Sequence, residues 1–156
     1  LCVAHWIGAL KSVNKELGDF KRVREAKWYA EDNADPSLIP PWTLTHTRHP
    51  CTIWTSENTG NYMWHVQLMR SLLDEYTLRY KKTHKSETVY EWLHSKIPYG
   101  MTKSLMTEHP QCMPEECKVA HDPVAAYRNY YHKYKAYMAK WNKGETPSWW
   151  QPVIEE

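Results

Sequence analysis

One stretch, NYMWHVQLMRSLLDEYTLRYKKTH (residues 61–84), constrains the fold more than any other. Tyr62, Val66, Met69, Leu72, Leu73, Tyr76 and Tyr80 recur at steps of three and four. Gln67, Arg70, Ser71, Asp74 and Lys81 lie off that stripe. The spacing predicts one long amphipathic helix, with Gly60 separating it from what precedes. A rod of this length must be covered along its apolar face by other elements, and the rest of the chain offers helices.

CVAHWIGALKSVNKELG places Val3, Trp6, Ile7, Leu10, Val13 and Leu17 at helical spacing, with Gly18 as a stop. DFKRVREAKWYAED reads as a charged helix. THTRHPCTIWTSENTG contains a short helix after His49, with Pro50 in its first turn. SETVYEWLHSKI is a short helix capped by Ser86. In the last candidate helix Asp122 suits the N-cap, Pro123 the first position and Gly144 the stop, predicting a helix from Pro123 to Lys143. NADPSLIPPW and PYGMTKSLMTEHPQCMPEEC are loops, broken by their prolines. No stretch alternates like a strand. The expectation is an all-α fold, a single helical domain over residues 1–150 with about five helices around one aromatic-rich core. Residues 151–156 form a C-terminal tail.

The aromatic content is skewed: 9 Trp and 11 Tyr against 1 Phe. Trp and Tyr carry a polar tip and suit half-wet positions, interfaces and stacking platforms. Much of this material sits in HDPVAAYRNYYHKYKAYMAKWNKG (121–144). There Tyr127, Tyr130, Tyr131, Tyr134, Tyr137, Met138 and Trp141 form a wide stripe, with Arg128, His132, Lys135 and Lys143 mostly off it. The centre of the stripe is expected in a core. Its margins, beside Arg128 and Lys133, have the mixture of flat rings and cations that base stacking and phosphate contact require.

Net charge does not carry this reading. Lys plus Arg is 20 and Asp plus Glu 18, and the pI is about 8.3, so any nucleic-acid surface must come from clustering. FKRVREAK supplies one such cluster through Arg22 and Arg24. THTRHP supplies another, where Arg48 and His49 precede a helix start that could hold an anion. Glu75 and Arg79, four residues apart, read as an ion pair or as a carboxylate oriented by a cation for proton transfer.

His109, Cys112, Cys117 and His121 give H-x2-C-x4-C-x3-H, residue types that zinc accepts at a spacing that matches no common finger. The expectation is no metal and no cofactor. No Gly-rich phosphate loop, G-x-S-x-G or H-E-x-x-H is present, which argues against hydrolase and nucleotide-binding folds built on them. No apolar run approaches the ~18 residues of a membrane span. Four scattered cysteines predict reduced thiols and a cytoplasmic setting.

The patterns H-P-x-x-x-W, N-Y-x-W, E-Y-T-x-R-Y-x-K-x-H and A-Y-R-N-Y-Y with a later K-W, spread over about residues 45 to 150, resemble a group of small phage-encoded proteins. The layout is also similar to the pyrimidine-dimer DNA glycosylases of the phage endonuclease V type. These are small all-α proteins with a long central helix and a final aromatic-basic segment set against the damaged strand, to which YRNYYHKY is similar. The resemblance implies a DNA glycosylase with lyase activity in an infected host cell, using an N-terminal amine as nucleophile with an assisting glutamate. Glu16 and Glu25 are the nearest glutamates here. On this reading double-stranded DNA is the partner. Arg22, Arg24, Arg48, Arg128, Tyr131, Lys133 and Lys135 contact it, and His49, Glu75 and Arg79 line the site. The alternative is a non-enzymatic protein that binds a host protein through its Trp/Tyr surface.

Overall fold

The structure, a computed structural model, describes residues 1–150, so the tail at 151–156 lies outside the described residues. It contains six α-helices and no strand among the described residues, as the periodicity predicts. They are α1 (Cys2–Ser12), α2 (Val23–Asn33), α3 (Pro50–Glu57), α4 (Thr59–Tyr80), α5 (Glu87–His94) and α6 (Pro123–Tyr130). The chain divides into two compact units. The first is Leu1–Thr107 and holds α1 to α5; the second begins at Glu108 and holds α6.

The first unit has two packed clusters. In one, Val3, Trp6 and Leu10 of α1 meet Ala26, Ala30 and Ala34 in and just after α2. Small side chains on α2 let a large indole sit close to the backbone, and the Trp6 Nε1–H donates to the Trp42 carbonyl at 2.8 Å. In the other, Tyr62, Val66 and Leu73 of α4 pack with Ala4 and Tyr90. Here the phenol of Tyr62 donates to the Leu93 carbonyl at 3.0 Å, which leaves its oxygen to accept from His5 Nε2–H at 2.7 Å. A buried hydroxyl needs such partners.

The long helix departs from the predicted stripe at its edge. Leu73 is buried, but its neighbour Leu72 is 62% exposed and Tyr80 also faces solvent. Gly60 lies inside the first turn of α4 rather than before it. A Cβ at Gly60 would stand 2.2 Å from the Met106 amide nitrogen, and one at Gly8 would stand 2.7 Å from that of Tyr99. Both glycines serve close approach of the segment 98–107, which the prolines and glycine mark as loop. That segment is tied down by main chain and by Asn61. Thr59 and Gly60 donate to the carbonyls of Thr102 and Ser104 at 2.9 and 3.1 Å. Asn61, with no exposed surface, donates to the Trp54 carbonyl at 2.8 Å and accepts from the Thr107 amide at 2.8 Å.

Three helix ends differ from expectation. α1 stops at Ser12 rather than at Gly18, because the chain turns at Asn14 with a φ of 56°. Asn is among the few residues that reach that conformation readily. Ser86 does not cap α5 through its side chain; its own amide donates to His84 Nδ1 at 3.1 Å. The predicted helix to Lys143 ends at Tyr130, and continues as a π-helical turn at Tyr131–Lys135 and a 3-10 turn at Ala136–Met138. In a protein, a helix draws most of its stability from packing an apolar face. Of the described residues in the second unit only Cys117 and Ala126 are buried, so the aromatic stripe has no core to hold it straight.

Candidate nucleic-acid interface

The second unit is built around α6. Asp122 accepts from the Ala125 amide at 2.9 Å and Pro123 opens the first turn, as their residue types predict. The preceding loop is pinned by Gln111, whose side chain bridges both backbone groups of Val119, with the Val119 amide donating at 2.9 Å. Tyr127 donates to the Pro110 carbonyl at 3.1 Å. The loop thus occupies the side of α6 that carries Ala126 and Tyr127. Among the described residues Tyr127 is the tyrosine of the stripe that bonds to a main-chain carbonyl of this loop.

Of the remaining tyrosines, Tyr130 is half-buried and three face outward. Tyr131 is 47% exposed, Tyr134 39% and Tyr137 74%, which overturns the expectation that the centre of the stripe enters a core. The change of helical pitch at Tyr130 is what spreads them, since a π turn rotates the following side chains off the original line. Such turns recur at functional sites. Tyr130 and Tyr134 lie with ring centroids 5.6 Å apart in a tilted arrangement. Cations cover the rings: Lys135 over Tyr130 at 5.6 Å, Lys133 over Tyr134 at 5.4 Å and Arg128 over Trp149 at 5.4 Å. His132 stacks on Trp150 at 4.4 Å with planes 12° apart, and Trp141 lies 5.0 Å from Trp150.

The electrostatics are one-sided. Residues 123–144 contain five Lys or Arg, namely Arg128, Lys133, Lys135, Lys140 and Lys143, and no Asp or Glu. The acid that reaches this segment is Glu116, from the short 3-10 turn Glu115–Cys117. Its Oε1 accepts from the Tyr134 hydroxyl in a short bond and pairs with Lys133 Nζ at 3.4 Å. The Tyr134 hydroxyl, helped by Lys133, holds the Glu116 carboxyl below its usual range. The same bond pushes the Tyr134 phenol up. Docking of the tail through Trp149 or Trp150 is the expectation from S-W-W, and both rings meet this segment; sequence reasoning missed Glu116, for nothing local in P-E-E-C says what that side chain meets.

The other expected site residues lie in the first unit. Arg22 is the N-cap residue of α2 and sits 3.9 Å from Glu25; Arg24 lies over the exposed ring of Trp28 at 5.6 Å. Arg48 is exposed in the turn before α3. His49 caps α3, its Nδ1 accepting from the Cys51 amide at 3.2 Å. This fills the place an anion was expected to take. Glu75 and Arg79 form the intrahelical ion pair on α4. No bond joins His49 to that pair among the described residues, so the three do not form one catalytic group.

The zinc-like set is not assembled either. No three of His109, Cys112, Cys117 and His121 bring ligand atoms within 4.8 Å of one another among the described residues. His121 pairs instead with Glu108 at 3.0 Å, and Cys117 is buried. No helix is long and apolar enough to cross a membrane among the described residues. Comparison of the chain with protein-family models, with curated proteins and with solved structures gives no match.

Proposed function

We propose that this protein binds DNA through the aromatic-basic surface of its second unit, engaging a strand whose bases are unstacked. The observation that carries the reading is the outward display of Tyr131, Tyr134 and Tyr137 on a segment with five cations and no acid. Exposed rings offer stacking faces worth about 1–3 kcal/mol per base, and cations between them meet the phosphates. Base stacking tolerates any sequence, so the surface recognises the state of the strand rather than its letters. A duplex opened at a damaged or mispaired base presents the same features as a single strand.

Base-excision chemistry, implied by the likeness to phage glycosylases, would add a covalent step to this binding. The two glutamates nearest the start of the chain both lie at helix starts. Glu16 caps the 3-10 turn Leu17–Asp19, and Glu25 accepts from the Arg22 amide at the start of α2. The Glu25 carboxylate is therefore committed to its helix start, whereas at Glu16 the bonded group is the main-chain amide, which donates to Asp19 Oδ2 at 3.0 Å.

The test is fluorescence anisotropy with a labelled single-stranded oligonucleotide, an intact duplex and a duplex carrying one abasic site, each titrated with salt. Tighter binding to the single strand and the abasic duplex than to the intact duplex, falling steeply with salt, is the expected result. Equal or absent binding to all three overturns the reading. Salt-insensitive capture of a protein instead would favour the Trp/Tyr surface as a protein interface. Borohydride trapping on the abasic duplex reports separately whether a Schiff base forms.

A further inference from the structure

The contact between Glu116 and the paired side chains of Lys133 and Tyr134 is unlike the other ion pairs of the molecule. One carboxylate oxygen takes both an ammonium and a phenol hydroxyl. These donors come from adjacent residues of the π-helical turn and converge on a single point in front of it. An ammonium and a hydroxyl converging on one anionic oxygen are the groups that hold a phosphate oxygen. Lys133, Glu116 and Tyr134 are 55%, 47% and 39% exposed, so an incoming anion has access to the position that Glu116 fills.

We propose that Lys133 and Tyr134 form a phosphate subsite on the DNA-binding surface, and that Glu116 occupies it as an internal competitor when DNA is absent. The inference rests on the proposed function and deepens it. A backbone phosphate displaces the Glu116 carboxylate and takes over both donors. The displaced carboxylate swings into solvent, where an exposed acid is readily hydrated. The exchange is between two anions on the same donors, so its cost is small, and an exposed pair of this kind contributes little stability. It filters weak anions from the surface, because only a ligand that also stacks on the neighbouring rings gains enough to displace a tethered carboxylate. It also lowers the number of counterions released on binding, since Lys133 gives up Glu116 rather than a solution ion.

The experiment compares wild type with Glu116→Gln and Glu115→Gln, full chain, in salt titrations with a single-stranded oligonucleotide. Glu115 is the control: it carries the same charge one residue away, is 87% exposed and pairs with Lys118 at 2.7 Å. Far-ultraviolet circular dichroism confirms that each variant is folded. The expected result is about threefold tighter binding for Glu116→Gln at low salt, the size of an exposed ion pair. Its plot of log affinity against log salt should steepen by about 0.7, the increment for one further phosphate contact on a single strand. Glu115→Gln should change neither by as much. Binding by Glu116→Gln with no detectable binding by wild type also supports the proposal, as complete occlusion. Equal effects of the two variants, or no effect of Glu116→Gln on a wild type that binds, overturn the subsite while leaving the binding surface intact. Absence of binding by all three proteins overturns the subsite and the surface together.

Discussion

Tyr62 in the first unit has no exposed surface, and its hydroxyl is held between His5 and the Leu93 carbonyl; Tyr131, Tyr134 and Tyr137 in the second unit face solvent. The same side chain does opposite work in the two places. In the first unit its ring fills a cluster and its polar tip is satisfied by partners from α1 and α5, so it specifies how three helices meet. In the second unit the rings add nothing to a core and lie beside cations. Three tyrosines of one short segment stay exposed while a fourth is completely buried elsewhere, so packing and surface display fall to different parts of the chain. The difference is in the surroundings. α4 is flanked by α3 and α5, whereas Tyr127 of α6 is held by the loop that precedes it.

The comparison breaks first at Tyr62. Tyr62→Ala should lower the free energy of unfolding by about 3–5 kcal/mol in urea denaturation. Tyr62→Phe should cost about 1–3 kcal/mol, because His5 Nε2–H and the Leu93 carbonyl lose their partner. A neutral Tyr62→Phe would mean that the phenol's bonds do not help to hold α1 and α5 to α4.

Acid should act on the first unit through His5. Burial, reinforced by nearby positive charge that includes Lys96, pushes its imidazole down to about 4. The neutral ring belongs to the folded state, and the unfolded state binds the proton more readily. Stability is therefore unaffected above pH ~6.5, falls as the pH drops below it, and levels off below about 4, with a total loss of about 3 kcal/mol. Denaturation midpoints at pH 7, 5 and 4 check this. Replacing His5 with Gln should flatten the profile in that window.

Asn61→Ala should cost about 1–3 kcal/mol by leaving the Thr107 amide and the Trp54 carbonyl without their partner. Hydrogen exchange of the amides of Thr59, Gly60 and Thr107 should accelerate together, since one hub secures the segment to α4. Exchange confined to Thr107 would show that the main-chain bonds to Thr102 and Ser104 suffice.

On the second unit the outcomes invert. Tyr131→Ala and Tyr137→Ala should leave unfolding within about 0.5 kcal/mol of wild type, as for an exposed site. Each should weaken single-strand binding by about 1–3 kcal/mol, read by anisotropy. A substitution there that unfolded the protein without touching affinity would erase the contrast.

Much of this was legible in local pattern. The long helix α4 and the His49, Asp122 and Pro123 starts are set by neighbours three or four positions away, and the structure has them as expected, save that Leu72 and Tyr80 of the stripe stay exposed. The Glu75–Arg79 pair is local in the same sense. The aromatic and basic make-up of the last segment, and its lack of any acid, were equally plain from the residues. Composition did not say which way those rings face. Periodicity marks a face without saying what covers it.

Propensity, capping and spacing act within one or two turns, and they suffice to make the chain helical, to set where most helices begin, and to concentrate tyrosine with lysine in one segment. The folded arrangement is what keeps Leu72 outside while Leu73 goes in, fastens residue 107 through Asn61, and loosens the last helix at Tyr131. It alone brought Glu116 to Lys133 and Tyr134 across some seventeen residues of chain. Those outcomes depend on which surfaces meet, and contacts between distant segments are set by the packing of the whole unit rather than by any neighbour in the chain.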